Sequence, residues 1–558
     1  MITVTVVFGL QGRRSSCSSS SISNSSISYS SISYSSSSTL LLLLTDLNRD
    51  LNQFDFVRKI NSLSMHIMEL EQDLFREEVN VPIYFAHSSE EVEEVYSSVV
   101  QSTQKSSAKS AFEAMLGSVS ANGYQLVANA KQTKAIPEAQ ILNIQGKLGA
   151  HDDEQLPTVA IVAHYDSFGI APALSFGGDS NGSGVAALME LARLFSRLNS
   201  NVTSSAARFK IVFVATGGGK FNYLGSKKFL EDQLDSADGG LLQESLYTIC
   251  LDSLSQGDEL NVHVSKPPKD GSHSAAFFQA LKSSAADLYP EVEVNMVHKK
   301  INLADDMLAW EHERYSIRRL PAMTLSHHKS SKDAAHRGTI LDTAATVDVA
   351  KLARNVHIIA EAIGSHLYNT TGPLFKGELV KLPHKIVINS RIKNNRLVSV
   401  SEDILGAWIS HLTSQPRSSP LLSVKGTNGV VSLLEQSMNR FLKDVKVTHL
   451  VADKRDPEFV FYDQMETTVS AFSVKPAVFD LCLTVLIVAY LAVLYFSVQK
   501  FHLLYSVVAA SPKVKSNAGD ALSKPTLTKR NLIHSKYLCK NQVILFASHY
   551  GPVQVTLY

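Results

Sequence analysis

The sequence TVAIVAHYD, residues 158–166, decides the fold class of this chain. It is a continuous apolar run rich in β-branched residues, and GVAALMELARLFSRL follows at 184–198 after a glycine-rich loop. Five apolar residues of that second segment recur at helical spacing: Val185, Leu188, Met189, Ala192 and Phe195. The spacing predicts a helix with one buried face, and the uninterrupted apolar run predicts a parallel strand covered on both faces.

Outward from this unit, strand-like and helix-like segments alternate until about Tyr368. The strand-like runs are KIVFVAT at 210–216, YTICLDS at 247–253 and AMTLSH at 322–327, and a long helical pattern covers 346–368. Such alternation is typical of an α/β domain with a largely parallel sheet and with its functional residues at the carboxyl ends of the strands. We therefore predict an α/β domain over 157–370, preceded by an N-terminal part of the same region at 81–156.

Composition excludes several classes of protein. The 558 residues are 44% hydrophobic and 19% charged, which is enough apolar material for large cores. Lys and Arg number 53 against 52 Asp and Glu, so no overall charge attracts nucleic acid. The four cysteines lack CxxC spacing, which argues against a zinc–thiolate site and a disulfide framework: Cys17, Cys250, Cys482 and Cys539.

The remaining regions flank the α/β domain. Residues 1–80 include a serine-rich run at 15–38, which we expect to be disordered, and a five-residue leucine run too short for a secretory signal. The favoured explanation for the lack of a clear secretory signal is that the start of the sequence is mispredicted. Residues 371–475 are expected to form a smaller, mixed membrane-proximal domain that closes with the strand-like FVFYDQ at 459–464.

The segment AVFDLCLTVLIVAYLAVLYFSV, residues 477–498, predicts a transmembrane helix. It carries one formal charge, Asp480, and is long enough to cross a hydrocarbon core of about 30 Å. Its all-round apolarity argues against the alternative of a buried core helix. Three lysines follow the span closely and one precedes it, which places residues 499–558 in the cytosol and the globular region in a lumen: Lys500, Lys513 and Lys515 after it, and Lys475 before it.

Two further patterns belong to a membrane protein with a lumenal domain. The sequons at Asn201 and Asn369 are expected to be accessible for glycosylation, whereas Asn181 sits inside a tight turn and is expected to be blocked. Five residues of the span project onto roughly one helix face and form a candidate surface for a membrane partner: Asp480, Thr484, Val488, Leu491 and Tyr495. Simple placement of Asp480 at the membrane interface is the alternative.

Two motifs predict a binuclear metal site. His164 and Asp166 end the central strand, an arrangement in which the carboxylate can orient a metal-binding imidazole. GGDSNGSG at 177–184 is a glycine-rich turn that delivers Asp179 and then begins a helix. The first motif alone is weak, and a hydrogen-bonded strand end explains it equally well. The two motifs together are specific.

On these motifs, residues 157–368 resemble the zinc aminopeptidase family with a co-catalytic metal pair. The resemblance implies that His164, Asp179, Asp252 and His327 correspond to metal ligands and that Asp166 lies behind His164. The family's Glu-Glu pair falls in ATGGGKFNYLGS at 215–226. There the general-base glutamate is replaced by Gly219 and the ligand glutamate by Lys220.

These replacements predict that the chain is not an enzyme and holds no cofactor. Metal-assisted hydrolysis needs a group that takes a proton from bound water, and glycine has none. Because an ammonium group opposes metal binding by charge, Lys220 is expected to occupy the second metal position, near Asp179 and Asp252. An active membrane-tethered zinc aminopeptidase remains the alternative. Trp310 is expected to be a packing anchor, and His312 and His328 to be surface or hydrogen-bonded residues rather than ligands.

The stretches HVSKPP at 263–268, LAWEHERY at 308–315 and VADKRDPEFVFYDQ at 451–464 resemble a nicastrin-related, catalytically degenerate branch of that family. The resemblance implies a single-pass subunit of the endoplasmic reticulum membrane with a lumenal N-terminal domain. It also implies assembly with Nodal modulator and a multi-spanning membrane subunit at the ribosome-bound translocon, and an association with Nodal signalling. A substrate receptor similar to nicastrin shares the same site, and the sequence does not separate the two.

Overall fold

The structure is a computed structural model of the whole chain, and the description covers most of the residues between 132 and 502. The described residues are 4–7, 40–44, 66–76, 83–87, 97, 123–128, 132–136, 138–148, 156–201, 209–235, 240, 242, 244–305, 307–331, 337–368, 374–375, 399–423, 429–452, 457–463, 465–474, 477–502, 505–506 and 553–557. The serine-rich run, Asn369 and most of the predicted cytosolic tail lie outside these residues.

Fourteen strands are described, and eight of them form the main sheet. The strands are β1 (Val4–Val7), β2 (Leu40–Leu44), β3 (Ile83–His87), β4 (Gly123–Ala128), β5 (Gln140–Leu148), β6 (Thr158–His164), β7 (Lys210–Thr216), β8 (Ser245–Leu251), β9 (Glu259–Val264), β10 (Glu293–His298), β11 (Ala322–Ser326), β12 (Lys443–Val451), β13 (Glu466–Val474) and β14 (Val553–Leu557). The order in the main sheet is β10-β9-β11-β8-β6-β7-β5-β12.

Ten helices are described alongside these strands. They are α1 (66–76), α2 (Gly184–Asn201), α3 (Leu224–Leu234), α4 (His273–Leu288), α5 (His312–Ile317), α6 (Val349–Tyr368), α7 (Glu402–Leu412), α8 (Ser419–Leu422), α9 (Gly429–Phe441) and α10 (Ala477–Gln499). The chain alternates between strand and helix from β6 to α6, so the predicted α/β class is confirmed.

The main sheet is mixed rather than parallel throughout. Four neighbouring pairs run parallel, and they include the central β11-β8-β6-β7 group. Three pairs run antiparallel, on both sides of that group. Because the central four strands share one direction, their carboxyl ends meet at one edge of the sheet.

Both faces of the sheet are covered, which explains the uninterrupted apolar run in β6. All seven residues of β6 are buried. Ile161 points into the larger core with helices α2, α4 and α6, whereas Val162 points into a smaller core with Phe229 of α3 and Tyr315 of α5. Full burial of side chains such as Ile161 contributes about 1.5–3 kcal/mol each.

The structure differs from the predicted division of the chain at residue 370. β12 pairs antiparallel with β5 and so extends the main sheet. Apolar residues of α7 and α9, such as Leu405 and Leu434, belong to the same core as α2 and α6. The described residues between 399 and 451 therefore belong to the α/β unit, because they share its sheet and its core.

A second sheet lies outside this unit. Its order is β14-β13-β1-β3-β2, with β4 also paired to β13. β13 ends at Val474, opposite Gly123 of β4, and α10 begins at Ala477. Two residues thus separate this sheet from the apolar helix.

Helix α10 is long and apolar enough to cross a membrane. The window Asp480–Gln499 has a mean hydropathy of 2.5, and none of it is buried. The side chains of Leu481, Leu486 and Val493 are largely exposed. Among the described residues this exposure rules out the alternative of a buried core helix.

Candidate functional site

The sequence-predicted site residues gather at the edge where the central parallel strands end. His164 is the last residue of β6, and Gly219 and Lys220 lie three and four residues after β7. Asp252 follows β8 directly, and His327 follows β11. The site has two parts that hold their charges differently. We call Asp179, His327 and His328 the histidine side, and Gly219, Lys220, Asp252 and Arg337 the arginine side.

The glycine-rich turn that carries Asp179 is built around Asn181. The Asn181 Nδ2 atom donates to the carbonyls of Leu251 (2.7 Å) and His164 (3.1 Å). Its Oδ1 atom accepts from the Gly184 amide at 3.1 Å, which caps helix α2. The side chain of Asn181 is fully buried, so the turn is fixed to the ends of β6 and β8.

On the histidine side, Asp179 is held by neutral donors and one imidazole. Its Oδ2 atom lies 2.8 Å from His327 Nε2, and its Oδ1 atom accepts from the Ser255 amide (3.0 Å) and hydroxyl (2.6 Å). Burial alone would raise the pKa of Asp179, but the contact with His327 outweighs it, and the pKa is lowered. The carboxylate is therefore ionised in the folded chain.

His328 lies closer to this group than the sequence predicts. The rings of His327 and His328 are 4.0 Å apart, and ligand atoms of Asp179, His327 and His328 all lie within 4.8 Å of one another. His328 is buried, and its backbone oxygen accepts from the buried His263. Two imidazoles and a carboxylate are a donor set that suits a single transition-metal ion.

On the arginine side, Asp252 is neutralised by Arg337, which the sequence analysis did not identify. Arg337 Nη2 lies 2.6 Å from Asp252 Oδ2 and 2.8 Å from the hydroxyl oxygen of Tyr223. Burial would raise the pKa of Asp252, but Arg337 and further cationic neighbours lower it well below its usual range. Burial would lower the pKa of Arg337, but Asp252 and Tyr223 together raise it above its usual value.

An aromatic stack holds the guanidinium in place. The Arg337 guanidinium carbon lies 4.2 Å from the Trp310 ring centroid, and Trp310 stacks on His263 with centroids 4.1 Å apart. Arg337 Nη1 also donates to the Ala309 carbonyl at 2.9 Å. Trp310 is 1% exposed. Trp310 thus packs as predicted, and it also supports a charged group.

Lys220 lies inside the site, and its direct hydrogen-bond partners are neutral oxygens; its predicted place near Asp179 and Asp252 stays a prediction. Its ammonium nitrogen donates to the Ser180 hydroxyl (2.6 Å) and to the Arg337 carbonyl (2.8 Å). Within the described residues it forms no ion pair with Asp179 or Asp252. Burial lowers the pKa of Lys220, and the neighbouring Asp252 offsets part of this.

Gly219 leaves no room for a side chain. A Cβ atom built there would lie 2.3 Å from both Cβ and Cγ of His164. The backbone is fixed in this position by Asp166, which accepts from the amides of Gly219 (2.7 Å) and Lys220 (3.0 Å). A catalytic glutamate at this position would overlap the His164 ring.

Asp166 therefore binds the altered loop and Ser419 rather than orienting His164. Glu311 lies beside the ring instead, with its Oε2 atom 3.4 Å from His164 Nδ1. Glu311 also accepts from Thr216 and Ser226. No sequence pattern pointed to Glu311, because it is 147 residues from His164 in the chain.

Two more buried residues fix the loops and were missed for the same reason. Asp342 accepts from the amides of Asp179 and Ser180, each at 2.8 Å. Arg417 is fully buried and donates to the carbonyls of Tyr165 and Phe176. His312 is also buried, with Nδ1 2.9 Å from the Thr324 hydroxyl, so it is hydrogen-bonded as predicted but is not a surface residue.

The residues present do not fit a co-catalytic metal pair. Gly219, the predicted position of the general base, has no side chain, and His164 occupies the space that one would need. Asp252 is engaged by a guanidinium, and the Lys220 ammonium lies next to Ser180 in the glycine-rich turn. Only the histidine side keeps a donor set for a cation. No hydrolytic step through two metal ions follows from this geometry.

Comparison with known proteins identifies the family. The model of peptidase family M28 matches residues 143–363. The BOS complex subunit NCLN of Homo sapiens is 47% identical over 442 residues, which span 79% of this chain and 76% of that protein. The BOS complex subunit ncln of Danio rerio is 45% identical over 469 residues, or 81% and 79% of the two chains. The chain belongs to the nicalin family.

The predicted resemblance is thereby confirmed at the level of the nicalin family. A crystal structure of the gamma-secretase component nicastrin is also similar, with a TM-score of 0.47 and 11% sequence identity over 71% of this chain and 78% of that chain. The match to peptidase family M28 ends at residue 363. In this nicalin-family chain, Arg417 and Ser419 therefore come from outside the matched peptidase segment.

Proposed function

We propose that the chain is a non-catalytic membrane subunit of a BOS complex, in which the peptidase-like domain is a scaffold. The geometry of Gly219 carries this proposal. The position that needs a proton acceptor holds a glycine whose Cα hydrogen faces the His164 ring, so neither the base nor the space for it exists. The human and zebrafish relatives are named as BOS complex subunits, which supports membership of the complex.

Other carboxylates near the ring do not replace the missing base. A general base must lie within hydrogen-bond reach of the water that it activates. Glu311 is 1% exposed and contacts the Nδ1 edge of His164, where it orients the ring. Both oxygens of Asp166 are engaged by backbone amides of the altered loop. Neither group is open to a substrate.

The proposal is tested on the full chain purified in mild detergent. Elemental analysis is expected to find no stoichiometric zinc, and amino-acid amide substrates are expected to remain uncleaved. The alternative of an active zinc aminopeptidase is favoured by one feature, the ligand group Asp179, His327 and His328. Stoichiometric zinc together with hydrolysis that is lost in Asp179→Asn would establish that alternative.

We place the subunit in the endoplasmic reticulum membrane, with the N-terminal domain in the lumen and the C-terminus in the cytosol. The exposed apolar helix α10 and the lysines after it support this orientation. The proposed partners are Nodal modulator, a multi-spanning membrane subunit and the ribosome-bound translocon, where multi-pass membrane proteins are made. An association with Nodal signalling belongs to the same proposal.

One face of α10 is proposed to contact the multi-spanning subunit. Thr484 Oγ1 donates to the Asp480 carbonyl at 2.7 Å, so the two polar residues share this face with Val488, Leu491 and Tyr495. Polar groups in membrane helices usually face protein or water. The pair Asp480→Leu and Thr484→Leu should reduce co-purification of that subunit.

The matched control is the pair Cys482→Leu and Ala489→Leu, which changes the opposite face of α10. Equal recovery of the membrane subunit with the two double variants would show that the contact lies on another surface. The site residues of the lumenal domain are untouched in both variants, so its fold should be unaffected.

Glycosylation provides an independent test of the lumenal orientation. We propose that Asn369 and Asn201 carry glycans and that Asn181 does not. Asn181 is fully buried and donates two hydrogen bonds, which supports its exclusion. An endoglycosidase-sensitive mass shift should therefore decrease in Asn369→Gln. A shift that persists there and vanishes in Asn181→Gln would reverse the assignment.

A further inference from the structure

The arginine side contains a buried ion pair at a position where related peptidases would bind a metal. Asp252 is 1% exposed, and the side chain of Arg337 is 12% exposed. Among the described residues, the second oxygen of Asp252 accepts only from the adjacent Ser253 hydroxyl, at 3.0 Å. Arg337 therefore supplies the direct positive charge on this carboxylate among the described residues.

Four contacts fix the Arg337 guanidinium. It bonds Asp252, Tyr223 and the Ala309 carbonyl, and its plane lies over Trp310. Planar, multidentate contacts of this kind suit a guanidinium and not an ammonium group. The position of the cation is thus set by residues from three separate segments of the chain.

We infer that Arg337 is an internal replacement for a divalent cation: it neutralises Asp252 and keeps metal ions out of the site. This inference rests on the proposed non-catalytic function and extends it to a named residue. Arg337 acts through Asp252 and touches no substrate, so it is a positioning residue.

Lys220 is not the replacement, although it sits at the position of the lost glutamate. Its nitrogen bonds a hydroxyl and a carbonyl rather than a carboxylate. Burial lowers the pKa of Lys220, whereas arginine stays charged in proteins. The carbonyl that Lys220 contacts belongs to Arg337, so Lys220 also helps to hold the arginine backbone in place.

The inference predicts that removing the guanidinium creates a metal site. In Arg337→Met, Asp252 would be buried without a counter-charge, next to the donors of the histidine side. A divalent ion that binds only the folded state raises the unfolding temperature with its concentration. We expect Zn²⁺ alone to raise the unfolding temperature of purified full-length Arg337→Met and to bind at about one ion per chain. The unchanged chain should show neither effect.

Arg417→Met is the matched control. Arg417 is a fully buried arginine near the same loops, but it donates to backbone carbonyls and pairs with no carboxylate in the described residues. Its replacement should also lower the unfolding temperature. Zn²⁺ should not restore it, because the lost contacts of Arg417 are hydrogen bonds to backbone carbonyls rather than a direct ion pair. Equal zinc effects in the two variants would overturn the inference.

A second variant covers the case in which Arg337→Met does not fold. The double variant Asp252→Asn, Arg337→Met removes both charges, and it should fold better than either single variant and lose the zinc response. If the double variant also fails to fold, Arg337 acts by packing on Trp310 and the inference is wrong. A double variant that folds supports the assignment of Arg337 as the counter-charge of Asp252.

The outcomes separate this inference from the proposed function. A chain that is metal-free and inactive, and whose Arg337→Met variant gains no zinc, keeps the proposed function and refutes the role of Arg337. Zinc bound to the unchanged chain with peptide hydrolysis refutes both. Zinc gained by Arg337→Met, with an unchanged chain that is metal-free, supports both.

Discussion

The histidine side and the arginine side each hold a buried carboxylate, but they neutralise it in different ways. Asp179 is bonded by an imidazole and by serine groups, whereas Asp252 is bonded by a guanidinium. An imidazole can give up its proton and bind a metal, but arginine stays charged. A protein cation thus neutralises the carboxylate of the arginine side, while the histidine side keeps a donor set for a metal.

The largest expected loss of stability is that of Asp252→Asn, which we compare with the same change on the histidine side, Asp179→Asn. Asp252→Asn leaves the Arg337 charge buried and unpaired, so the free energy of unfolding should fall by about 3–5 kcal/mol at pH 7. Asp179→Asn leaves mainly neutral donors and should cost about 1–2 kcal/mol. Urea unfolding followed by the fluorescence of Trp310 and Trp408, the two tryptophans of the chain, measures both. Equal losses would contradict the assigned difference.

Gly219→Ala tests the packing of the arginine side. The new Cβ atom would overlap His164, and a loss of about 2–3 kcal/mol is expected, within the usual range for overpacked cores. Gly429→Ala is the control, since no atom lies within 4 Å of a Cβ atom at the start of α9. Its unfolding midpoint in urea should stay the same or rise slightly.

Acid unfolding should also depend on this pair. Burial would raise the pKa of Asp252, but Arg337 and further cationic neighbours together lower it, so its contribution is present above about pH 4 and is lost as pH falls through the folded-state value. Asp252→Asn should therefore flatten the fall of stability below pH 4 by up to about 1.4 kcal/mol per pH unit. Asp258→Asn should flatten the profile far less: its hydrogen bond with Arg354 lowers the pKa of Asp258 too, but the pair is exposed and screened by water.

The smallest effect is expected for Lys220→Met, at no more than about 1 kcal/mol near pH 7, because the lost hydrogen bonds are offset by the removal of a desolvated charge. Burial is the chief cause that lowers the pKa of Lys220 in the folded state. Just below the ordinary lysine pKa of 10.5, the unfolded chain therefore binds more protons than the folded chain. Stability of the unchanged chain should thus rise with pH in the alkaline range, and this rise should be weaker in the variant. A loss as large as that of Asp252→Asn would identify Lys220 as the main counter-ion.

Local patterns in the sequence were enough for the α/β unit. The apolar run at 158–164 and the helical spacing after residue 184 correspond to β6 and α2, because both elements bury whole faces. The pattern of β12 was not recognised as part of the same sheet. Its residues are mostly exposed or half-buried, so the sequence carries no strong apolar signal for its pairing with β5.

The site was predictable only in part. The motifs led to His164, Asp166 and Asp179, whereas Asp252 and His327 were implied by the family resemblance. The role given to Asp166 was wrong, because whether a carboxylate bonds a ring or a backbone amide depends on the loop that lies against it.

The sequence was sufficient to predict the strand–helix pattern and the apolar helix α10. These follow from residue types and their spacing within short segments. Only the tertiary structure decided which cation neutralises Asp252. Arg337 lies 85 residues from Asp252 and in no motif. The pair forms because two loops at the end of the sheet approach within hydrogen-bond distance and because burial makes an unpaired carboxylate costly.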